Sequence, residues 1–307
     1  MAKCLVTGSS GFIAGHLIQA LREQGDVVTG ADKKTGMDLT DGELCCELVD
    51  GMDVVYHLAS ETNLSTSFEF PERALGDDLL TTVNLLEASR DSRSDIRFIF
   101  TSSAAIYGHS LSQKISEEEV LGDNIVCPYG VNKRAAEIYT GLYRRVHGLS
   151  TVCLRLFNVY GPGQMNLQAA IPSFTLSILR GNRIQINGDG MQSRDFVHVK
   201  DVVKALMLMG KSRHTGVYNV GTGVSHTLLN LLLMLVNVSG KKLFVDHVPQ
   251  LQYDIRHSCA NISRILRLGW EPELSLKEGL KDTIEFYKQV GAQVPSRSSS
   301  ATALKKA

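Results

Sequence analysis

An apolar run, Lys3 to Thr7, passes directly into Gly8-Ser9-Ser10-Gly11 and then into a helical pattern from Phe12 to Glu23. Glycines at a strand-to-helix turn admit positive φ and let amides at the helix N-terminus approach a pyrophosphate. Gly8 and Gly11 keep the three-residue spacing, but the next position is Ala14, with the third glycine displaced to Gly15. Alanine suffices where the need is close helix–strand contact rather than an unusual φ. A second strand pattern, Asp26 to Ala31, is followed by Asp32, an acid placed to accept from an adenosine ribose and to repel a 2′-phosphate. Strand, glycine turn, helix and acid together predict a dinucleotide site for NAD rather than NADP. Lys33 and Lys34 oppose that preference, because cations there offer a hold on a phosphate. Asp38-Leu39 and Ala59 fall in the expected adenine pocket, although Asp38 fits a plain helix cap nearly as well.

The alternation continues through the first half, with strand patterns at Asp53–Leu58, Ile96–Thr101 and Thr151–Leu156. Long helices are predicted at Pro71–Arg90 and Tyr129–His147. The fold class expected is α/β, a Rossmann-type doubly wound parallel sheet covered on both faces, with a smaller mixed α/β substrate-binding domain. The dinucleotide domain is expected over residues 1–160, with segments at about 190–222 returning to it, and the substrate domain mainly over 161–290. Helices at Gln168–Arg180, Lys200–Met209, Thr227–Val238 and Leu276–Gln289 belong to this later part. Residues 291–307 are Ser- and Ala-rich, have little to bury, and read as disordered.

Lys plus Arg and Asp plus Glu both number 32 in the 307 residues, so no global charge draws the chain to nucleic acid or to an anionic membrane. The most apolar stretch, Leu228 to Val238, is too short to span a bilayer and contains Asn230 and Asn237. Six dispersed cysteines and nine histidines form no metal-ligand or CxxC spacing, which reads as reduced thiols in a cytoplasmic protein with no metal.

Tyr129-Gly130-Val131-Asn132-Lys133 places a phenol and an ammonium on one helical face. A neighbouring cation favours phenolate and brings a tyrosine into acid/base range. The run Phe100 to Gly108 carries Ser103 to the carboxyl edge of the sheet, where ligands bind in such folds. With LRLFNVYGPG (Leu154–Gly163), SRDFVHVKDV (Ser193–Val202), YNVGTG (Tyr218–Gly223) and DIRHSCANISRILRLGWEP (Asp254–Pro272) following in order, the chain resembles the extended short-chain dehydrogenase/reductases of the NAD-dependent epimerase/dehydratase family.

The resemblance implies a catalytic triad of Ser103, Tyr129 and Lys133. It implies NAD contacts from Gly8, Gly11, Phe12, Ile13, Asp32, Asp38, Leu39, Leu58, Ala59, Tyr129 and Lys133. Asn158, Arg194 and Asp254, with Ser103, match positions that hold a nucleotide-diphosphate sugar; Asn158 also fits a loop cap, and Arg194 an interdomain ion pair. Ser258 matches a pocket position where a small residue leaves room for an N-acetyl group, unless its side chain points away from the sugar. Related dehydratases carry an Asp-Glu pair just after the catalytic hydroxyl, but here Ala104 and Ala105 follow Ser103 and carry no proton. What remains is C4 epimerisation of a UDP-sugar through a transient 4-keto sugar, oxidised and then reduced on its other face. The alternatives are an NAD(P)H-dependent reductase of a keto-sugar nucleotide and a non-catalytic NAD(H) sensor. Family members pair two long helices per subunit into a four-helix bundle, which implies a homodimer through Pro71–Arg90 and Tyr129–His147 unless those faces serve only the core. Three departures stand out. Leu251 replaces an arginine near Asp254, a loss that Arg194 or Arg256 would have to offset, and Asp78 and Thr81 replace the usual Asn and Gly.

Overall fold

Short β-branched strands alternating with helices bury both faces of a sheet, and the chain does this from its first residues. The computed structural model describes residues 1–119, 124–250 and 254–290. Its strands are β1 (Lys3–Thr7), β2 (Val27–Ala31), β3 (Val54–His57), β4 (Arg97–Ser103), β5 (Ser150–Leu156), β6 (Asn158–Tyr160), β7 (Ile184–Asn187), β8 (Ser193–His198), β9 (Gly216–Val220), β10 (Ser225–Thr227), β11 (Val245–Val248) and β12 (His257–Ser258). Six form one sheet in the order β2-β1-β3-β4-β5-β9, every neighbouring pair parallel. The order reverses between β1 and β3, so the crevice for a ligand opens at their carboxyl ends.

Each face of this sheet has its own core. Leu17 and Leu21 of helix Phe12–Glu23 pack with Leu206 and Met209 of helix Val199–Lys211 on one side. Cys45, Leu85, Ala136 and Tyr143, from helices Gly42–Val49, Thr81–Asp91 and Pro128–His147, fill the other. The apolar stretch around Leu228–Ser239 is a helix that buries Leu231, Leu232 and Leu235 in a third core, with Phe174, Ile178, Leu280 and Ile284 from helices Ala170–Arg180 and Leu276–Val290.

The helix expected over Pro71–Arg90 is interrupted. It runs as α-helix over Pro71–Leu75, widens to a π turn at Gly76–Leu80, and resumes as α-helix over Thr81–Asp91. Single π turns of this kind commonly mark functional sites, because they turn one side chain off its helical face. Asp78 sits in that turn with 1% exposure.

The later motifs work as fasteners between segments. Buried Asp195 accepts from the amides of Thr222, Gly223 and Ala260, tying the YNVGTG loop and the segment after β12 to β8. Asp201 accepts from the amides of Glu273 and Leu274, while the Trp270 indole donates to its carbonyl. The short strands around β8 escape sequence reading because β6, β10 and β12 have only two or three residues each. Leu251 and the tail 291–307 lie outside the described residues.

Candidate active site

The cofactor side is built from the turns after the first three strands. Gly8 has φ +65°, and a Cβ there would stand 2.9 Å from the Ala59 backbone. Gly11 occupies the N-cap of helix Phe12–Glu23 without a side-chain cap, so the amides at Phe12 and Ile13 begin the helix uncovered by side chains. Thr7 locks this turn to β3, its hydroxyl oxygen accepting from the amides of Leu58 and Ala59. His57 lies between Thr7 and Thr82, 2.8 and 2.9 Å away. Burial and the nearby Lys133 charge push its pKa down to about 3, so it is neutral. This cradle, shaped where a side chain would collide, fits a pyrophosphate.

Asp32 holds the rim of the cradle. Its Oδ2 accepts from the Ser10 amide at 2.9 Å, and its Oδ1 from the Lys34 amide at 2.8 Å. Lys33 pairs with Asp38 and Asp77, at 3.1 and 3.2 Å, so its charge is already engaged beside the rim. Asp38 is not the cap of the next helix. It closes on Thr40, while Asp41 caps Gly42–Val49 through the amides of Glu43 and Leu44. Leu39 is buried in the same core as Ala59. NAD is therefore expected to bind well above NADP, and Asp32→Ala should narrow that gap roughly tenfold or more, the scale of a lost charged hydrogen bond. Equilibrium binding in which the wild type favours NADP refutes this assignment.

The chemical side lies at the end of β4. Ser103 closes that strand and its Oγ accepts from the Ala105 amide, starting the 3-10 turn Ala104–Tyr107. Helix Pro128–His147 comes close to this turn because Gly130 has no Cβ; one there would lie 2.8 Å from the Ala105 carbonyl oxygen. That approach brings the Tyr129 phenol into hydrogen bonds with Ser103 and Ser60. Lys133, one turn along, is buried, donates to the Thr101 carbonyl at 2.9 Å, and lies 4.8 Å from the Phe100 ring centroid and 5.9 Å from that of Tyr129. Burial lowers its pKa to about 8, against the pull of Asp78, so it remains an ammonium at neutral pH. Burial, followed by the Asp78 charge, raises the Tyr129 phenol well above its ordinary value.

One further turn along the same face, Glu137 forms a buried ion pair with Arg155 of β5 and accepts from Ser102. Spacing of four from Lys133 is the sequence signal for Glu137, and the place directly after Ala59 is the signal for Ser60. Neither could be assigned a partner without the fold.

On the substrate side Arg194 and Asp254 meet each other, Nη2 to Oδ1 at 2.6 Å, and Gln192 steadies the second carboxylate oxygen. Asn158 begins β6 and is exposed. Ser258 faces Arg194 in the β12–β8 register and is 6% exposed. Arg256 is held by Asp189 through both carboxylate oxygens at the surface.

A glycine cradle at a strand-order reversal, with a Tyr–Lys helix against a serine at the same sheet edge, defines a dinucleotide-dependent enzyme of the extended short-chain dehydrogenase/reductase type. Residues 4–221 match the NAD dependent epimerase/dehydratase family, and the chain belongs to it. It is 30% identical to the dTDP-D-glucose 4,6-dehydratase of Bos taurus over 94% of this chain and 89% of that protein. Among solved structures it is similar to the UDP-glucose 4-epimerase of Thermotoga maritima with UDP-glucose, at TM-score 0.89 and 31% identity over 94% of this chain and 99% of that one. The UDP-N-acetylglucosamine 4-epimerase of Methanobrevibacter ruminantium M1, in complex with UDP-N-acetylmuramic acid, gives TM-score 0.88 and 30% identity over 94% and 98%.

Proposed function

We propose that this protein is an NAD-dependent 4-epimerase of a UDP-sugar. The observation that carries the reading is the Ser103–Tyr129–Lys133 set followed by Ala104 and Ala105, a site that can move the proton of a sugar hydroxyl but has no acid in the adjacent turn to expel water. Relatives that dehydrate and relatives that epimerise share the fold, so the side chains at the site carry the distinction. NAD, when bound at the Gly8–Gly11 turn, supplies the acceptor and donor for the electrons of the C4–H bond. Tyr129 takes the C4 hydroxyl proton and returns it, Ser103 holds the same oxygen, and the Lys133 ammonium stabilises the phenolate. Arg194, Asp254 and Asn158 hold the nucleotide diphosphate.

Assaying purified protein on UDP-glucose and UDP-galactose without added cofactor tests this. Interconversion is expected; consumption of NAD(P)H would indicate a reductase, and binding without turnover a sensor.

Ser258 points to substrate breadth. Its place opposite Arg194 supports a position on the sugar pocket, and its small side chain leaves room for a C2 N-acetyl group. Ser258→Tyr should depress turnover of an N-acetylhexosamine nucleotide by roughly tenfold or more while sparing the plain hexose. Equal loss on both substrates, or none on either, removes Ser258 as a gate.

The protein is also read as a homodimer in the cytoplasm. Leu75 and Leu80 near the π turn, with Val131, Ile138 and Val146 on helix Pro128–His147, expose large apolar side chains on the two segments expected to pair. A single-chain mass at micromolar concentrations contradicts the dimer. All six cysteines are free and five are buried, which fits a reducing compartment. Among the described residues no helix is long and apolar enough to cross a membrane.

A further inference from the structure

Asp78 lies in the π turn Gly76–Leu80, buried against the helix that carries Tyr129 and Lys133. Its Oδ1 accepts from the Ser60 hydroxyl at 2.6 Å and from the Glu61 amide at 2.9 Å; its Oδ2 accepts from the Asn132 amide at 3.3 Å. All three partners donate, the pattern of an ionised carboxylate. Ser60, whose hydroxyl donates to Asp78, also lies against the Tyr129 phenol. Ser60 thus stands between the phenol and Asp78, and Asn132, the carboxylate's third partner, immediately precedes Lys133, whose ammonium feels the same charge.

We propose that Asp78 is a positioning residue of this site: joined to the phenol through Ser60 and set beside Lys133, its charge fixes the pH window in which the Tyr129–Lys133 pair works. The proposal rests on the assignment of Tyr129 as the acid/base group. A buried negative charge disfavours phenolate and favours ammonium. Both directions hold here, since Asp78 adds to the upward pressure of burial on Tyr129 and opposes its downward pressure on Lys133.

The other charged or titratable groups around the pair do not duplicate this role. Cys127, at the start of the helix, is a thiol that burial pushes up, and His57 of β3 is neutral. Glu61, after β3, accepts from the Asn63 amide, and Asp77 is paired with Lys33 and Arg73. Glu137 is neutralised by Arg155, which also holds Tyr107 of the 3-10 turn. Glu69 and Glu72, on the short helices before the π turn, are exposed to screening water. Glu87, on the helix after it, bonds Tyr143 at the far end of the catalytic helix.

Asp78→Asn removes the charge at constant shape. Ser60 still finds an oxygen, and Asn132 can turn its amide to accept. In NAD-saturated protein, the onset of Tyr129 phenolate absorbance, isolated by subtracting the matching Tyr129→Phe variant, should come about one pH unit or more earlier than in the wild type. Both limbs of the pH profile for UDP-glucose turnover should move to lower pH with it. Ser60→Ala keeps the charge and cuts only the contact through Ser60, so the limb that follows Lys133 should stay in place. Should D78N not fold, Asp78→Ser carries the same expectation. An unmoved or later phenolate onset in a folded neutral variant overturns the proposal. If no UDP-sugar turns over, the epimerase reading fails, yet the phenolate titration still decides the role of Asp78.

Discussion

Tyr129→Phe lowers turnover by about two to four orders of magnitude, or about 3–5 kcal/mol of barrier, the range for losing a general acid/base. Binding of NAD and of UDP-glucose should stay near the wild-type level. The reason lies in what the hydroxyl touches. Its partners Ser103 and Ser60 keep other hydrogen bonds when it is removed, Ser103 from the Ala105 amide and Ser60 to Asp78. The ring keeps its place beside Lys133, whose own donor bond to the Thr101 carbonyl does not involve the phenol. The substitution therefore deletes a proton carrier without opening a cavity or stranding a buried polar group. Turnover measured beside equilibrium binding separates the two effects. Turnover within a few-fold of wild type would remove Tyr129 from the role.

Arg155→Met should destabilise the fold by about 3–5 kcal/mol, the cost of leaving one member of a buried ion pair uncompensated. Arg155 is 3% exposed in the middle of β5. Its Nε and Nη2 reach both Glu137 carboxylate oxygens, at 3.0 and 2.5 Å, and its Nη1 reaches the Tyr107 hydroxyl at 2.7 Å and the Glu117 carbonyl at 3.1 Å. Without it Glu137 keeps the Ser102 hydroxyl and Arg134, the latter a third exposed. Glu137 rides on the helix of Tyr129 and Lys133, and Ser102 precedes Ser103, so turnover should fall along with stability. Removing both charges, as Glu137→Leu with Arg155→Met, should recover much of the loss, because apolar replacement of a whole buried pair is often close to neutral. Denaturant midpoints of the three proteins check this. A loss below about 1 kcal/mol in the single variant would show that Arg134 or water already compensates Glu137.

Much of the cofactor half was legible in the chain because its chemistry is local. Gly8, Gly11 and Asp32 lie within a few residues of the strand ends that present them, and strand-turn-helix patterns declare those ends directly. Ser103, Tyr129 and Lys133 were legible for a different reason: one motif lies at a strand end and the other on a single helical face. The substrate half was less so. Arg194 matched a position that holds the nucleotide diphosphate and equally fitted an ion pair, and only the structure names its partner, Asp254, 60 residues on, while Arg256 is held by Asp189. Nothing in the local pattern around Asp195 or Asp201 marks these acids as the fasteners of distant loops.

The sequence by itself determined the alternation of elements, the glycine turn after β1, the acid at the end of β2 and the placing of Ser103, Tyr129 and Lys133 at one strand end and on one helix, all properties of spacing along one strand, turn or helix. Tertiary structure alone decided that Ser60 and Asp78 join Tyr129, that Glu137 finds Arg155, and that Lys33 pairs with Asp38 and Asp77. These pairings depend on a π turn rotating one side chain and on parallel crossovers that bring together residues far apart in the chain. Burial then sets how strongly their charges act on one another, and only the packed fold supplies it.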